Sequence, residues 1–147
     1  MKWFFIMIFV IFFPHLSQAQ EKSKEHNHAV IDEKDAVPVS ILDGKASVKF
    51  LVSKDNQQKT DIYVGIFEGK EGLAVKEHSH AKEAEILYCL EGEGIMTIEG
   101  EPNSVTKGTA VYIPPETKHS FEIKQGKSFK ALQIFQPAGP EERFRKK

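Results

Sequence analysis

Residues 78–85 read HSHAKEAE, placing His78 and His80 one serine apart and Glu85 five positions after the second. The chain holds six histidines in all, so two this close with a carboxylate behind them ask for a reason. In an extended strand, residues two apart point to the same face. The imidazoles of His78 and His80 would then project together and could converge on one point. AKEA makes a short reversal, and Glu85 opens the next strand, where it shares a face with Leu87 and Cys89 while Ile86, Tyr88 and Leu90 take the other. A carboxylate on an interior face needs a partner, because an unpaired buried charge is very costly. Two neutral imidazoles around a divalent cation supply one. A third histidine comes from PPETKHSFEIK: Ser120, Glu122 and Lys124 must face out, which turns His119, Phe121 and Ile123 inward. Pro114 and Pro115 stiffen the approach to that strand by fixing φ. His78, His80, Glu85 and His119 are thus the candidate metal ligands. Three imidazoles and a carboxylate, with no thiolate, suit divalent Mn, Fe, Ni, Cu or Zn. A metal preferring six ligands would keep about two positions for water or a substrate. Glu83 has the parity of Glu85 but falls inside the turn, so Glu85 is preferred.

These side chains need extended segments to aim them, and the pattern supplies them. KASVKFLV sets Lys45, Ser47 and Lys49 against Ala46, Val48, Phe50 and Val52, the alternation of a half-buried strand. DIYVGIFEG, AEILYCLEG, GIMTIEG, GTAVYIPP, HSFEIKQG and SFKALQIFQP follow as further short strands, most of them separated by glycine. No stretch keeps a helical apolar period over three turns. The expected architecture is one all-β domain over residues 37–137, a sandwich or barrel. Pro137 and Pro140 break the pattern and residues 138–147 end basic, which predicts a solvated tail with Phe144 as the one residue suited to tuck back.

The N-terminus reads differently. Lys2 precedes an unbroken apolar run from Trp3 to Phe13, and Ser17-Gln18-Ala19 offers small residues where a signal peptidase cuts. The run is well short of the ~20 residues a membrane-spanning helix requires. Residues 1–19 are therefore expected to be a signal peptide cleaved after Ala19, leaving a secreted or periplasmic chain with no stable membrane insertion. Residues 20–36 are dense in charge and read as a flexible leader. His26 and His28 lie in it without strand pattern or glycine punctuation and are taken as solvated. The formal net charge of −1 gives no basic excess, so no nucleic-acid partner is expected. A single cysteine, Cys89, excludes an internal disulfide and reads as a small buried hydrophobe.

The ordered set resembles the two motifs of the cupin superfamily, in its small single-domain, conserved type-2 form. Gly72, His78, His80, Glu85 and Gly92 meet every spacing of the first motif; Gly108, Pro114 and His119 match the second. Glu116 stands where that motif has a glycine, and Ile123 where it has an asparagine. Neither missing residue is a ligand in the family, so the doubt falls on the turn before His119 and the packing below it. The resemblance implies a jelly-roll-like β-barrel with a metal held near one end of its interior by His78, His80, Glu85 and His119. It also makes a homodimer through outer strands an expectation, with KASVKFLV as an edge or exchanged strand.

Fold does not choose function, and cupins include dioxygenases, isomerases, lyases, oxidases and binding proteins. The leading expectation is a metal-dependent enzyme acting on a small oxygen-rich molecule such as a sugar acid or an enolisable carboxylate. A cupin dioxygenase and a non-enzymatic binding or sensing module are the alternatives. No general base is assigned: Tyr88 and Glu91 are expected to face outward, and Tyr63 and Gln133 are candidates to face inward.

Overall fold

The computed structural model describes residues 28–55 and 60–145. The expected signal segment, residues 20–27 of the leader with His26, and the last two lysines lie outside the described residues. The strands are β1 (Val39–Ile41), β2 (Ala46–Val52), β3 (Tyr63–Gly69), β4 (Ala74–His78), β5 (Ala84–Ile98), β6 (Glu101–Thr106), β7 (Ala110–Ile113), β8 (His119–Glu122) and β9 (Phe129–Gln136). They form one curled antiparallel sheet in the order β1-β2-β3-β9-β5-β8-β4, with β6 and β7 also paired to β5. Short 3-10 turns at Glu33–Asp35, Leu42–Gly44 and Pro140–Phe144 complete the described elements.

Strand β5 joins the two walls. Its first half pairs with β9 and β7, and its second half with β8 and β6. The sequence pattern divides this stretch into two strands at its glycines; the structure keeps it as one strand of 15 residues. A register shift between Cys89 and Glu91 and a left-handed Gly92, at φ 81°, bend the strand without ending it. A side chain at Gly92 would bring its Cβ to 1.9 Å from the Ser128 carbonyl oxygen, so only glycine lets β5 and the chain leading into β9 approach this closely.

The inward faces follow the pleat. On β9, Phe129, Ala131, Gln133 and Phe135 are buried and alternate with residues that are not. Phe67 of β3, Phe121 of β8 and Phe129 of β9 meet across the interior, with Phe121 and Phe129 centroids 4.6 Å apart and Phe67 at 6.5 Å from each. Each such ring stabilises the closed sheet by roughly 1.5–3 kcal/mol through burial alone. Cys89 is wholly buried among these residues, as expected of a small hydrophobe.

Three expectations change. β2 is not the terminal strand of the sheet, because β1 covers the outer side of its first half through Val39–Val48 and neighbouring pairs; Lys49, just beyond, pairs with Glu33 at 3.1 Å. β6 gives no alternating signal because only Val105 of its six residues is buried. As a strand bonded on one side only, it needs no inward row and tolerates Pro102. The C-terminal segment is packed and not solvated: Glu141 is fully buried, Phe144 contacts both apolar clusters, and the Arg145 guanidinium lies 3.9 Å from the Phe50 ring centroid. The turn begun at Pro140 folds the chain back, and the arginine covers apolar surface while its charge meets Asp55. The β5 bend yields a stability prediction. Gly92→Ala should cost about 2–4 kcal/mol by combining a left-handed backbone with a backbone clash; a urea midpoint equal to the parent's would show that the bend does not depend on glycine.

Candidate metal centre

β4 delivers His78 and β8 delivers His119 as directly opposed cross-strand partners. Their ring centroids lie 4.2 Å apart. His80 falls two residues past the end of β4 and is not held by strand pairing. The backbone N–H of Glu116 donates to its carbonyl at 2.7 Å, and Phe135 packs edge-on against its ring at 5.2 Å. Glu85 enters from β5, flanked by Phe135 of β9 and Ile113 of β7. The structure brings all four candidate ligands together: one ligand atom from each lies within 4.8 Å of the others.

The hydrogen bonds around the cluster fit a cation. His78 Nδ1 lies 2.8 Å from the Lys76 carbonyl oxygen and His119 Nδ1 lies 2.9 Å from that of Thr117. A carbonyl only accepts, so both rings carry their proton on Nδ1 and present Nε2 as a lone pair. His119 Nε2 is buried with no aligned hydrogen-bond partner, yet sits 3.2 Å from Glu85 Oε2. His80 Nε2 lies 3.2 Å from the same oxygen. Nitrogen lone pairs converging on a carboxylate oxygen repel unless positive charge lies among them. That charge is a proton or a metal ion, and a set of three imidazoles with one carboxylate is suited to a divalent transition ion.

Burial would raise the Glu85 carboxyl, but the His119 and His80 rings and the Gln133 amide outweigh it and hold the group down at about 2. Burial would lower His119, but Glu85 and the Thr117 carbonyl push it above the usual imidazole range. His78 moves the other way: burial is the largest influence and lowers it, in keeping with a neutral ligand.

The departures from the second motif have structural answers. Glu116 adopts φ 64°, the left-handed conformation a glycine would take there, so the turn before His119 keeps its shape at a cost of about 1 kcal/mol. Ile123 is buried in the core and its backbone bonds Gly72 and Leu73, so packing serves where the motif has an amide. Glu83 is outside the cluster and accepts from the Lys82 backbone N–H at 3.2 Å. His28 is exposed and is not among the clustered ligands. Tyr88 faces out, as its parity requires; Glu91 shares the parity of Glu85 but is exposed, because the register shift between Cys89 and Glu91 turns it outward. Tyr63 faces in but does not line the cavity over the metal centre.

Gln133 does line it, and the sequence reading gave this residue no role. Its Nε2 donates to Glu85 Oε1 at 2.8 Å, fixing the carboxylate that His80 and His119 share. The available signal was an amide in the inward row of β9, among Phe129, Ala131 and Phe135. His78, Glu85, His119 and Gln133 form the polar part of a cavity of about 980 Å³. Its walls are largely apolar, with Phe67, Leu73, Leu87, Met96, Phe121 and Phe129. Its mouth carries Asp43, Lys45, Glu77 and Arg143, also unassigned from sequence.

With fold and site in view, a family model described as "Cupin domain" matches residues 65–135, which include all four clustered residues. Residues 65–135 form a cupin domain. A dimethylsulfoniopropionate lyase of Ruegeria pomeroyi is 33% identical over 76 residues, covering 52% of this chain and 49% of that enzyme. The chain spans about half the length, or less, of the first curated relatives it matches. Among solved structures, an RmlC-like cupin from Shewanella frigidimarina superimposes with a TM-score of 0.62 at 17% identity, over 74% of this chain and 89% of that one. A Thermotoga maritima protein described as a predicted oxalate decarboxylase gives 0.67 at 22% identity, over 75% of this chain and 100% of that one. At such identities the structural likeness shows the fold alone.

The site makes a prediction for the metal-free protein. Because the folded-state Glu85 carboxyl is depressed from 4.5 to about 2, its stabilising contribution is present above the upper value and fades as pH falls toward the lower. Glu85→Gln should flatten the stability profile across that acid window in chelator-treated protein; identical slopes in parent and variant would show that the carboxylate is not held this way.

Proposed function

We propose that this cupin is a metal-dependent enzyme acting on a small molecule that presents oxygen donors and an apolar portion, with an enolisable carboxylate favoured over a sugar acid. The observation that carries this is the placement of His78, Glu85 and His119 on the cavity that also exposes aromatic and aliphatic walls. A sugar acid brings hydroxyls all round and would leave most of them unpaired against Phe67, Leu73, Phe121 and Phe129. An enolisable carboxylate concentrates its oxygens at one end and can bury the rest.

When bound by His78, His80, Glu85 and His119, a divalent cation would supply Lewis acidity toward a substrate oxygen. The chain's own residues do the remaining work. Gln133 fixes the orientation of Glu85, and the backbone carbonyls of Lys76 and Thr117 fix two imidazoles in the ligating tautomer. The apolar walls exclude water and strengthen electrostatic effects at the polar end. Arg143 and Lys45 offer positive charge at the mouth beside the acidic Asp43 and Glu77. Tyr63 is not assigned proton transfer because it does not line the cavity, and an amide such as Gln133 does not titrate. A lyase among the sequence relatives is compatible with this reading.

The test joins metal and turnover. Elemental analysis of purified protein should find a divalent transition metal near one per chain, and His80→Ala should lower that content together with activity in a screen of enolisable carboxylates. Oxygen uptake would move the reading to a dioxygenase. A tightly retained ligand without product would move it to a binding module, and unchanged metal in the variant would remove His80 from the site.

We also propose that the chain is exported, supported by Lys2, the Trp3–Phe13 apolar run and the small residues up to Ala19. Homodimer pairing is supported by Ile86 and Tyr112, exposed register partners on the outer face of β5 and β7, with Tyr88 beside them. Protein from a periplasmic extract should have the mass of a chain starting at Gln20 and twice that mass by light scattering. The mass of the uncut chain, or of a monomer, overturns the respective proposal.

A further inference from the structure

The Gln133 amide has two ends, and the structure accounts for one. Its Nε2 donates to Glu85 Oε1 at 2.8 Å. A carboxylate only accepts, so the amide nitrogen must face Glu85 and the orientation of the group is fixed. The other end, Oε1, is then an acceptor. It is buried, Gln133 is 5% exposed, and Oε1 has no hydrogen-bond partner among the described residues. Gln133 lines the same cavity as His78, Glu85 and His119. A buried acceptor left unsatisfied costs about 1–3 kcal/mol, and a ligand able to donate to it recovers that loss.

We infer that Gln133 Oε1 is a specificity-determining acceptor, and that the site takes ligands with a hydroxyl donor next to the oxygen bound at the His/Glu cluster and an apolar body beyond it. The geometry imposes both halves of this description. The polar end of the cavity offers one free acceptor beside the ligand carboxylate. Phe67, Leu73, Phe121 and Phe129 offer the rest of the molecule only apolar contact. An ether at the hydroxyl position keeps the oxygen and loses the donor, so it leaves Gln133 Oε1 unpaired. A short hydroxy acid keeps the donor and loses the apolar contact. The class is therefore a 2-hydroxy acid, or the enol of a 2-oxo acid, with an aromatic or branched aliphatic substituent. This inference rests on the metal reading above, since the cation would hold the adjacent oxygen.

Calorimetric binding to zinc-loaded protein tests it, with metal content measured in parallel. Three probes suffice: 2-hydroxy-2-phenylacetate, its 2-methoxy counterpart and lactate. The hydroxy compound should bind about tenfold or more tightly than the methoxy compound, and lactate should also bind more weakly. In Gln133→Met, which keeps side-chain length and removes the acceptor, the hydroxy and methoxy affinities should become equal at matched zinc content. The three probes on the parent protein decide the matter even where the variant does not fold. Equal affinities for the hydroxy and methoxy compounds with zinc bound, no binding of any probe, or discrimination that survives in Gln133→Met overturns the inference and leaves the metal site standing. Failure of the parent to bind zinc overturns the metal reading and this inference with it.

Discussion

Everything at the polar end of this molecule turns on one buried carboxylate. Glu85 is 4% exposed, and a charge removed from water in this way is stable only when compensated. Compensation comes from separate elements: His80 from the loop after β4, His119 from β8 and Gln133 from β9. Each is remote from Glu85 in sequence or held by different backbone contacts. The charge therefore ties the curled sheet together at the same place where it creates a ligand for a cation. In metal-free protein the stability this charge contributes fades under acid.

That arrangement depends on β5 serving both walls. Glu85 lies in the half of β5 that pairs with β7 and β9, while His119 pairs with its far half at Ile98. A strand broken at the glycines would leave the two walls free to slide relative to one another, and the imidazole–carboxylate distances near 3.2 Å would not survive that. The bend at Gly92 therefore sets the geometry of a site well removed from it along the strand. The C-terminal turn acts at the opposite side of the cavity. By packing Phe144 onto both apolar clusters it brings Arg143 to the mouth, so a segment rich in charge becomes part of the lining.

The strand alternation and the ligand set could be read from the chain because both are local properties. A period of two places His78 with His80, and Glu85 with Leu87, without knowing what lies opposite. His119 was legible because the polar set Ser120, Glu122 and Lys124 takes the outward face and leaves it the inward one. The same reasoning missed β6, whose residues are almost all exposed, and it split β5, since glycine marks a bend as readily as an end. It also left Glu116 open, because sequence cannot show that a glutamate takes the left-handed backbone that its N–H bond to His80 requires.

What the sequence by itself determined is therefore the all-β class, the four residues able to share a cation, and their chemistry. Only the tertiary structure decided that the imidazoles and the carboxylate meet at hydrogen-bonding distance. It also showed that Gln133 orients Glu85 while its own Oε1 is buried without a partner, and that the walls around them are largely apolar. The reason is physical: parity fixes which face a side chain takes. Distance, partner and surroundings depend on strands far apart in sequence, whose register is set by the packing of the whole sheet.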